Sequence, residues 1–198
     1  MKRVFFLLCV LFPLWAGAQE KRVITETFDN NLFRWDEFYE KDCSAGIEDG
    51  YFVLKNQKNG TVCSVAEMPI FSERNFKLTF KFLVPKLNDK YYFGVVFNYE
   101  DNENYECFML MEKKFQCVNV KEGVVRVNRR GPVILKGGKD RQVEVLVEKK
   151  GGKLVFSVDN MEAITMARNV KFTTFGFFVE GDNVLKVDEV MVEQMESE

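Results

Sequence analysis

The chain of 198 residues contains no histidine. This absence excludes serine and cysteine triads that use His as the base, and it excludes every metal site that includes an imidazole. The five cysteines form no CxxC pair, which argues against a zinc site and against a dithiol redox motif. Any catalysis must therefore use carboxylates, tyrosine, lysine or a metal held by carboxylates.

The sequence has one long apolar run, and that run is too short to span a bilayer. It covers residues 4–15, whereas a transmembrane helix needs roughly 20 apolar residues. Lys2 and Arg3 precede it and the small residues 16–18 follow it, which is the three-part pattern of a secretory signal. We therefore predict a signal peptide over residues 1–18, a mature chain from Gln19 onward, and export to the periplasm, the cell surface or the extracellular space.

A surplus of positive charge is also missing. Loss of residues 1–18 removes two of the 28 basic residues and none of the 30 acidic ones, which leaves a net charge of −4. An acidic chain is poorly suited to nucleic acid or to anionic lipid as a partner. We expect one domain over residues 19–198, because the sequence shows no linker, internal repeat or low-complexity segment.

Helical periodicity over ten or more residues is absent, and alternation of apolar and polar residues takes its place. In residues 76–82 every second residue is Phe or Leu, and the residues between them are Lys or Thr. This pattern is typical of a strand with one buried face. It predicts that Leu78 and Phe80 lie in the core while Lys77 and Lys81 face water.

Turn residues separate the alternating segments. Asp49-Gly50 is the strongest two-residue hairpin signal, and Glu122-Gly123 and Gly151-Gly152 indicate turns between later segments. We expect about thirteen short strands, roughly one every 8–14 residues. Crossover helices are missing, so the prediction is an all-β, two-sheet antiparallel sandwich rather than a parallel sheet.

Three segments break the alternation and are apolar at consecutive positions. They are residues 91–97, 107–111 and 175–179. Such runs belong to central strands whose second face is either covered or exposed as an apolar surface that can take a ligand. We expect these three segments at the centre of a sheet.

Export would leave four cysteines, Cys43, Cys63, Cys107 and Cys117, in an oxidising compartment where thiols can pair. Four cysteines allow three connectivities, and the residues alone do not choose among them. Buried thiols that behave as small apolar side chains are the alternative.

Turn length decides whether two of these cysteines can meet. A three-residue turn at residues 111–113 places Cys107 opposite Cys117 on the next strand. A two-residue turn at residues 113–114 sets Cys107 against Val120 instead. We predict the first register with a Cys107–Cys117 bridge, because only there do the Cβ atoms come within bridging distance, and a Cys43–Cys63 bridge as its complement.

Six short motifs follow one another along the mature chain. They are Thr27-Phe28-Asp29 with Trp35, Asp49-Gly50-Tyr51, FGVVFNYED at residues 93–101 with Asn104-Tyr105, LVFSVDN at residues 154–160, FGFFV at residues 175–179 and VDEVMV at residues 187–192. In this order the chain resembles the concanavalin A-like lectin/glucanase superfamily, especially exported modules of Bacteroidetes-type bacteria related to laminin G-like domains and to the 3-keto-disaccharide hydrolases. The resemblance implies a jelly-roll sandwich whose concave sheet face and rim loops bind sugars.

The resemblance also implies where catalytic acids would be found. Glucanases of this superfamily carry Glu-x-Asp-x-x-Glu or Glu-x-Asp-x-Glu on one strand, so that alternate side chains share a face and flank the scissile bond. Neither pattern is present: Glu40-x-Asp42 has no further carboxylate in step, and Glu100-Asp101-x-Glu103 falls where a loop is expected. We therefore favour binding over catalysis.

Calcium is the one cofactor that the resemblance suggests, since many relatives hold a structural calcium ion. Asp29 and Asp188 supply hard oxygen ligands of the kind that Ca²⁺ prefers. Exposed acidic turns have the same composition and are the alternative, and no EF-hand-like spacing is present.

The acidic and amide insert at residues 100–105 has two interpretations. Asx residues favour turns through local backbone hydrogen bonds, which predicts a simple loop between two antiparallel strands. Alternatively, the insert borders a sugar site, because aromatic faces stack on the C–H side of a sugar ring while amides and acids bind its hydroxyls. The residues predicted for this site are Tyr92, Asn98, Glu103, Asn104 and Tyr105.

The sequence thus predicts an exported, non-catalytic module for carbohydrate binding or recognition. One alternative is a glycan-active hydrolase of the 3-keto-disaccharide or glucanase type, which should show two or more carboxyls converging in a concave pocket. The other is an envelope module for protein interaction, which should show a flat face without a groove.

Overall fold

The computed structural model describes residues 21–57, 60–84, 91–135, 140–167 and 170–195, so the predicted signal peptide and Gln19 lie outside the described residues. The described chain forms fifteen strands and no helix, which confirms the all-β prediction with two strands more than expected. It accordingly contains no helix with the length and apolar character needed to cross a membrane.

The strands are β1 (Lys21–Glu26), β2 (Phe38–Tyr39), β3 (Cys43–Glu48), β4 (Tyr51–Asn56), β5 (Thr61–Glu67), β6 (Phe76–Val84), β7 (Tyr92–Asp101), β8 (Asn104–Leu110), β9 (Lys114–Lys121), β10 (Val124–Pro132), β11 (Arg141–Lys150), β12 (Lys153–Val158), β13 (Met161–Met166), β14 (Thr174–Glu180) and β15 (Asn183–Met195).

Two antiparallel sheets form the predicted sandwich. The six-stranded sheet has the order β10-β9-β8-β7-β14-β5. The nine-stranded sheet has the order β13-β12-β11-β6-β15-β4-β3-β2, and β1 also pairs with the long strand β15. The three runs that are apolar at consecutive positions form β7, β8 and β14, and these strands are central in the six-stranded sheet, as predicted.

Alternation in β6 divides its side chains between core and solvent. Leu78 and Phe80 are fully buried and Lys77 is exposed, which confirms the prediction for this strand. Lys81 differs from the expectation because it is only partly exposed. Its ammonium lies 2.9 Å from a carboxylate oxygen of Glu189 on β15, so the lysine lies along the sheet surface rather than extending into water.

Aromatic side chains join the two sheets. Phe177 on β14 lies 5.4 Å from Phe52 on β4, measured between ring centroids. Phe108 on β8 stacks on Phe156 of β12 at 4.8 Å, and Phe97 on β7 lies 5.2 Å from the same ring. These contacts bury one face of every central strand of the six-stranded sheet, which leaves the opposite face directed outward.

The β8–β9 hairpin overturns the predicted Cys107–Cys117 bridge. The Met111 amide donates to the Lys114 carbonyl across a loop of two residues, not three. Cys107 therefore lies opposite Val118, and Cys117 is displaced by one position. Neighbouring positions on a strand point to opposite faces, so Cys107 faces outward while Cys117 packs in the core between the sheets.

The complementary Cys43–Cys63 bridge is wrong for a related reason. Cys43 lies on β3 of the nine-stranded sheet and packs against the main core. Cys63 lies on β5 of the six-stranded sheet and packs on its outer face. The six-stranded sheet therefore lies between the two sulfurs, and all four cysteines are thiols in this structure.

The buried phenylalanines of β6 should dominate stability. Phe80 stacks on Phe82 with 6.0 Å between ring centroids. We expect Phe80→Ala to lower the free energy of unfolding by about 3–5 kcal/mol, because it removes a buried ring and leaves a cavity. Urea denaturation of the mature chain measures the loss. Lys77→Ala on the same strand is the control, and an unchanged midpoint for Phe80→Ala would contradict the core assignment.

Gly94 on β7 should be intolerant of a side chain. A Cβ atom built there would lie 2.0 Å from the carbonyl oxygen of Phe108 on β8, so any substitution must force two central strands apart. We expect Gly94→Ala to cost about 3 kcal/mol or more. Gly123→Ala is the matched control, since that position has a φ of 72° but open space around it. Equal thermal destabilisation of both variants would rule out the steric explanation.

Candidate functional site

A groove of about 540 Å³ runs over the outer face of the six-stranded sheet. All six strands of the sheet contribute side chains to it. Its base, called the groove floor below, consists of the side chains of Val96, Cys107, Val118, Val120 and Phe178. Its edge, called the groove rim below, carries polar groups from Thr61, Tyr92, Tyr99, Asn102, Tyr105, Gln116 and Glu180.

The groove floor exists because the central strands are apolar on both faces. Phe97 and Phe108 point between the sheets, so Val96 and Cys107, one position away, must point outward. The floor side chains are nevertheless only 2–6% exposed. An outward-facing surface that is enclosed to this degree is the bottom of a crevice rather than an open sheet face.

Tyrosines form one end of the groove. Tyr99 and Tyr105 lie with ring centroids 6.3 Å apart, and the Tyr99 hydroxyl donates to Oδ1 of Asn102 at 2.8 Å. Burial raises the pKa of Tyr105 to about 12, with smaller contributions from the ionisable groups of Cys107, Cys63 and Glu180. The Tyr105 hydroxyl therefore stays protonated at neutral pH and can both donate and accept a hydrogen bond.

Glu180 is the one residue among the described groove-lining residues that can carry a charge at neutral pH. It lies at the end of β14, directly opposite Tyr92 of β7. Burial raises the pKa of its carboxyl. Burial also raises the pKa of the Cys107 and Cys63 thiols, so both remain neutral and poorly nucleophilic.

Of the five residues predicted for a ligand site, the structure brings Tyr92 and Tyr105 into the groove. The predicted outward orientation of Asn98 is wrong. The backbone of Asn98 has a φ of 49°, and the β7–β8 register shifts beyond Phe97, so the strand contains a bulge. Because of the bulge, the Asn98 side chain points inward and the Tyr99 side chain points outward in its place.

Asn98 has a structural role in its observed position. Its side-chain nitrogen donates to Oε1 of Glu106 at 3.2 Å, and its Oδ1 accepts from the Lys171 amide at 2.8 Å. Asn98 and Glu106 are both buried. The side chain therefore ties the bulge to a neighbouring strand and to the segment before β14.

The acidic and amide insert forms the tight connection between β7 and β8. Asp101 accepts hydrogen bonds from the Glu103 amide and the Asn104 side chain, which lower the pKa of its carboxyl. Asn104 in turn accepts from the Glu122 amide in the β9–β10 turn. Neither Glu103 nor Asn104 is among the groove-lining residues, and within the insert only Asn102 and Tyr105 border the groove.

Sequence analysis identified the strands of the groove but missed most of its side chains. The three apolar runs marked β7, β8 and β14 correctly, and Cys107, Met109 and Phe178 are alternate members of those runs. Glu180 immediately follows the third run, so its place at the end of that central strand could have been predicted from the sequence. Gln116 and Val118 lie on β9, where apolar residues are consecutive only at Cys117 and Val118, a run too short to stand out in the sequence.

Metal ligands do not gather in the described part of the chain. There, no three side chains from His, Cys, Asp and Glu are placed to hold one ion together. Asp29, one of the two calcium candidates, accepts a hydrogen bond from the Thr27 hydroxyl at 3.0 Å. Asp188, the other, belongs to β15 of the nine-stranded sheet.

No protein-family model matches the chain, and no curated protein matches it in sequence. Several solved structures are similar to it in three dimensions. A xylan beta-1,4-xylosidase from Bacillus halodurans C-125 is 14% identical over 86% of this chain, with a TM-score of 0.61, but the match covers only 39% of that enzyme. The carbohydrate binding module CBM66 from Bacillus subtilis is 14% identical over 86% of this chain and 95% of its own length, with a TM-score of 0.50.

A third similar structure is the catalytic domain of an endo-1,3-beta-glucanase from Thermotoga petrophila RKU-1. It is 8% identical over 90% of this chain and all of its own length, with a TM-score of 0.59. Identities this low establish the fold alone. The matched part of each neighbour is a jelly-roll sandwich, so the chain has the concanavalin A-like fold that its sequence motifs suggested.

Proposed function

We propose that this protein is an exported module that binds carbohydrate in the groove and does not hydrolyse it. The observation that carries the proposal is a concave groove with tyrosine rings and polar groups at its rim. Sugar rings present C–H faces to aromatic rings and hydroxyls to amides and carboxylates, so the chemistry of the rim matches both kinds of surface.

The fold supports a carbohydrate ligand. A carbohydrate-binding module and two glycan-active enzymes share the sandwich, although each is distant in sequence. Export is proposed from the signal pattern in residues 1–18.

The composition of the groove supports binding without hydrolysis. The usual glycoside hydrolases place two carboxyl groups about 5–9 Å apart across the scissile bond. The described groove-lining residues include one carboxylate, that of Glu180. A single acid can accept hydrogen bonds from sugar hydroxyls, but it cannot act as both the acid and the base.

A glycan array probed with the mature chain, residues 19–198, tests the proposal. We expect selective binding to a subset of glycans and no release of reducing ends when those glycans are incubated with the protein. Absence of binding across the array would refute the carbohydrate assignment, and release of reducing ends would refute the non-catalytic part.

Tyr92 and Tyr105 should provide stacking surfaces for the ligand. We expect Tyr92→Ala and Tyr105→Ala each to weaken binding of the tightest array glycan by about 1–3 kcal/mol, or roughly five- to a hundredfold. Isothermal titration calorimetry measures the change.

Tyr39→Ala is the control for these variants, since Tyr39 is 68% exposed and lies in the other sheet. It should leave binding unchanged. Thermal unfolding of all three variants shows whether the fold persists. Large destabilisation of the two groove variants without any change in affinity would mean that the tyrosines are only packing residues.

Glu180 should make binding dependent on pH. Its pKa is raised by burial, so protonation begins at a higher pH than for an exposed glutamate, whose pKa is about 4.3. We expect affinity to fall as the pH is lowered through this raised pKa, because the neutral carboxyl is a weaker acceptor for sugar hydroxyls. Glu180→Gln should bind more weakly at pH 7 and show little change on acidification.

Stability provides the control for Glu180→Gln. A carboxyl whose pKa is higher in the folded state than in the unfolded state destabilises the fold at neutral pH, and this penalty disappears below the unfolded-state pKa. The variant should therefore be at least as stable as the parent at pH 7. A parent protein whose affinity is constant down to about pH 4 would show that the carboxylate does not contact the ligand.

A further inference from the structure

We propose that the groove selects neutral sugars that carry a methyl group, either in an acetamido substituent or as a 6-deoxy carbon. This inference rests on the proposed function and specifies the class of ligand. It follows from the contrast between the groove floor and the groove rim.

The groove floor offers no good hydrogen-bond partner. Its five side chains are three valines, a phenylalanine and the Cys107 thiol, which is at most a weak donor or acceptor. A sugar hydroxyl directed at this surface would lose its water without replacement, which is unfavourable. A methyl group in the same place would leave water for an apolar surface, which is favourable.

The shape of the floor favours a small substituent over a whole ring. The floor side chains are 2–6% exposed although they line the groove. So little accessible surface does not allow a pyranose ring to lie flat on the floor. A methyl group projecting from a ring that stacks on the tyrosines at the rim can reach it.

Polar and charged groups at the rim complement the rest of such a ligand. Glu180 can accept a hydrogen bond from a hydroxyl or an acetamido N–H, and Gln116 and Asn102 can donate as well as accept. No Lys or Arg is among the described groove-lining residues. A uronic or sialic acid would therefore meet the Glu180 carboxylate without a counter-charge, which favours a neutral sugar.

Two pairs of sugars that differ at the methyl-bearing position test the inference on the mature chain. N,N′-diacetylchitobiose differs from cellobiose by acetamido groups in place of hydroxyls, and L-fucose differs from L-galactose by the missing 6-hydroxyl. We expect calorimetry to show about tenfold or greater preference for the methyl-bearing member of one pair, as for a methylene in an apolar pocket. The pair that shows the preference identifies the source of the methyl group.

Val118→Thr tests whether the floor causes the preference. Threonine keeps the branched shape and strand preference of valine but replaces one methyl group with a hydroxyl, at a side chain that is 4% exposed. We expect most of the tenfold preference to disappear. Val124→Thr is the matched control, because Val124 is 54% exposed on the neighbouring strand β10 and does not line the groove. Val96→Thr repeats the test if Val118→Thr does not fold.

The outcomes separate the two levels of the proposal. Equal affinities within both pairs, or tighter binding of cellobiose and L-galactose, would overturn the methyl selectivity while leaving carbohydrate binding in place. A preference that survives both floor substitutions would also overturn it. If none of the four sugars and no glycan on the array binds, the proposed function and this inference are both overturned.

Discussion

Packing of phenylalanines between the two sheets is the constraint on which the rest of the structure depends. Phe97, Phe108 and Phe177 project from the six-stranded sheet, and Phe52 and Phe156 meet them from the other side. Burial of such rings is the main favourable contribution to folding. Because side chains alternate along a strand, the choice of inward residues also fixes which residues point outward.

The outward residues of the central strands are where the structure departs from an ordinary solvated sheet. Val96, Val118 and Phe178 are apolar and nearly enclosed, while Glu180 and the tyrosines stand above them at the rim. An apolar surface of this kind contributes little to the core between the sheets. Together with Cys107 it extends over four adjacent strands, β9, β8, β7 and β14, and the proposed ligand would account for the contrast in polarity between floor and rim.

The β7–β8 connection shows that polar composition does not by itself identify the residues that line the groove. Its acidic and amide composition suggested direct contact with a ligand, yet Asp101 and Asn104 use their side chains to hold the loop and to fasten it to the β9–β10 turn. The connection contributes to the groove through Asn102 and through the tyrosines on either side of it. A bulge at Asn98 brings Tyr99 to the rim, where Asn102 binds its hydroxyl.

The sequence by itself determined the all-β class, the antiparallel sandwich and the three central strands, because alternation and apolar runs are local patterns that a strand must satisfy. Tertiary structure decided the two-residue turn that separates Cys107 from Cys117, the bulge at Asn98 and the alignment of Gln116 and Glu180 along one groove. Each of these depends on register between strands. A shift of one residue moves every side chain to the other face of the sheet. The local pattern of apolar and polar residues does not determine that register.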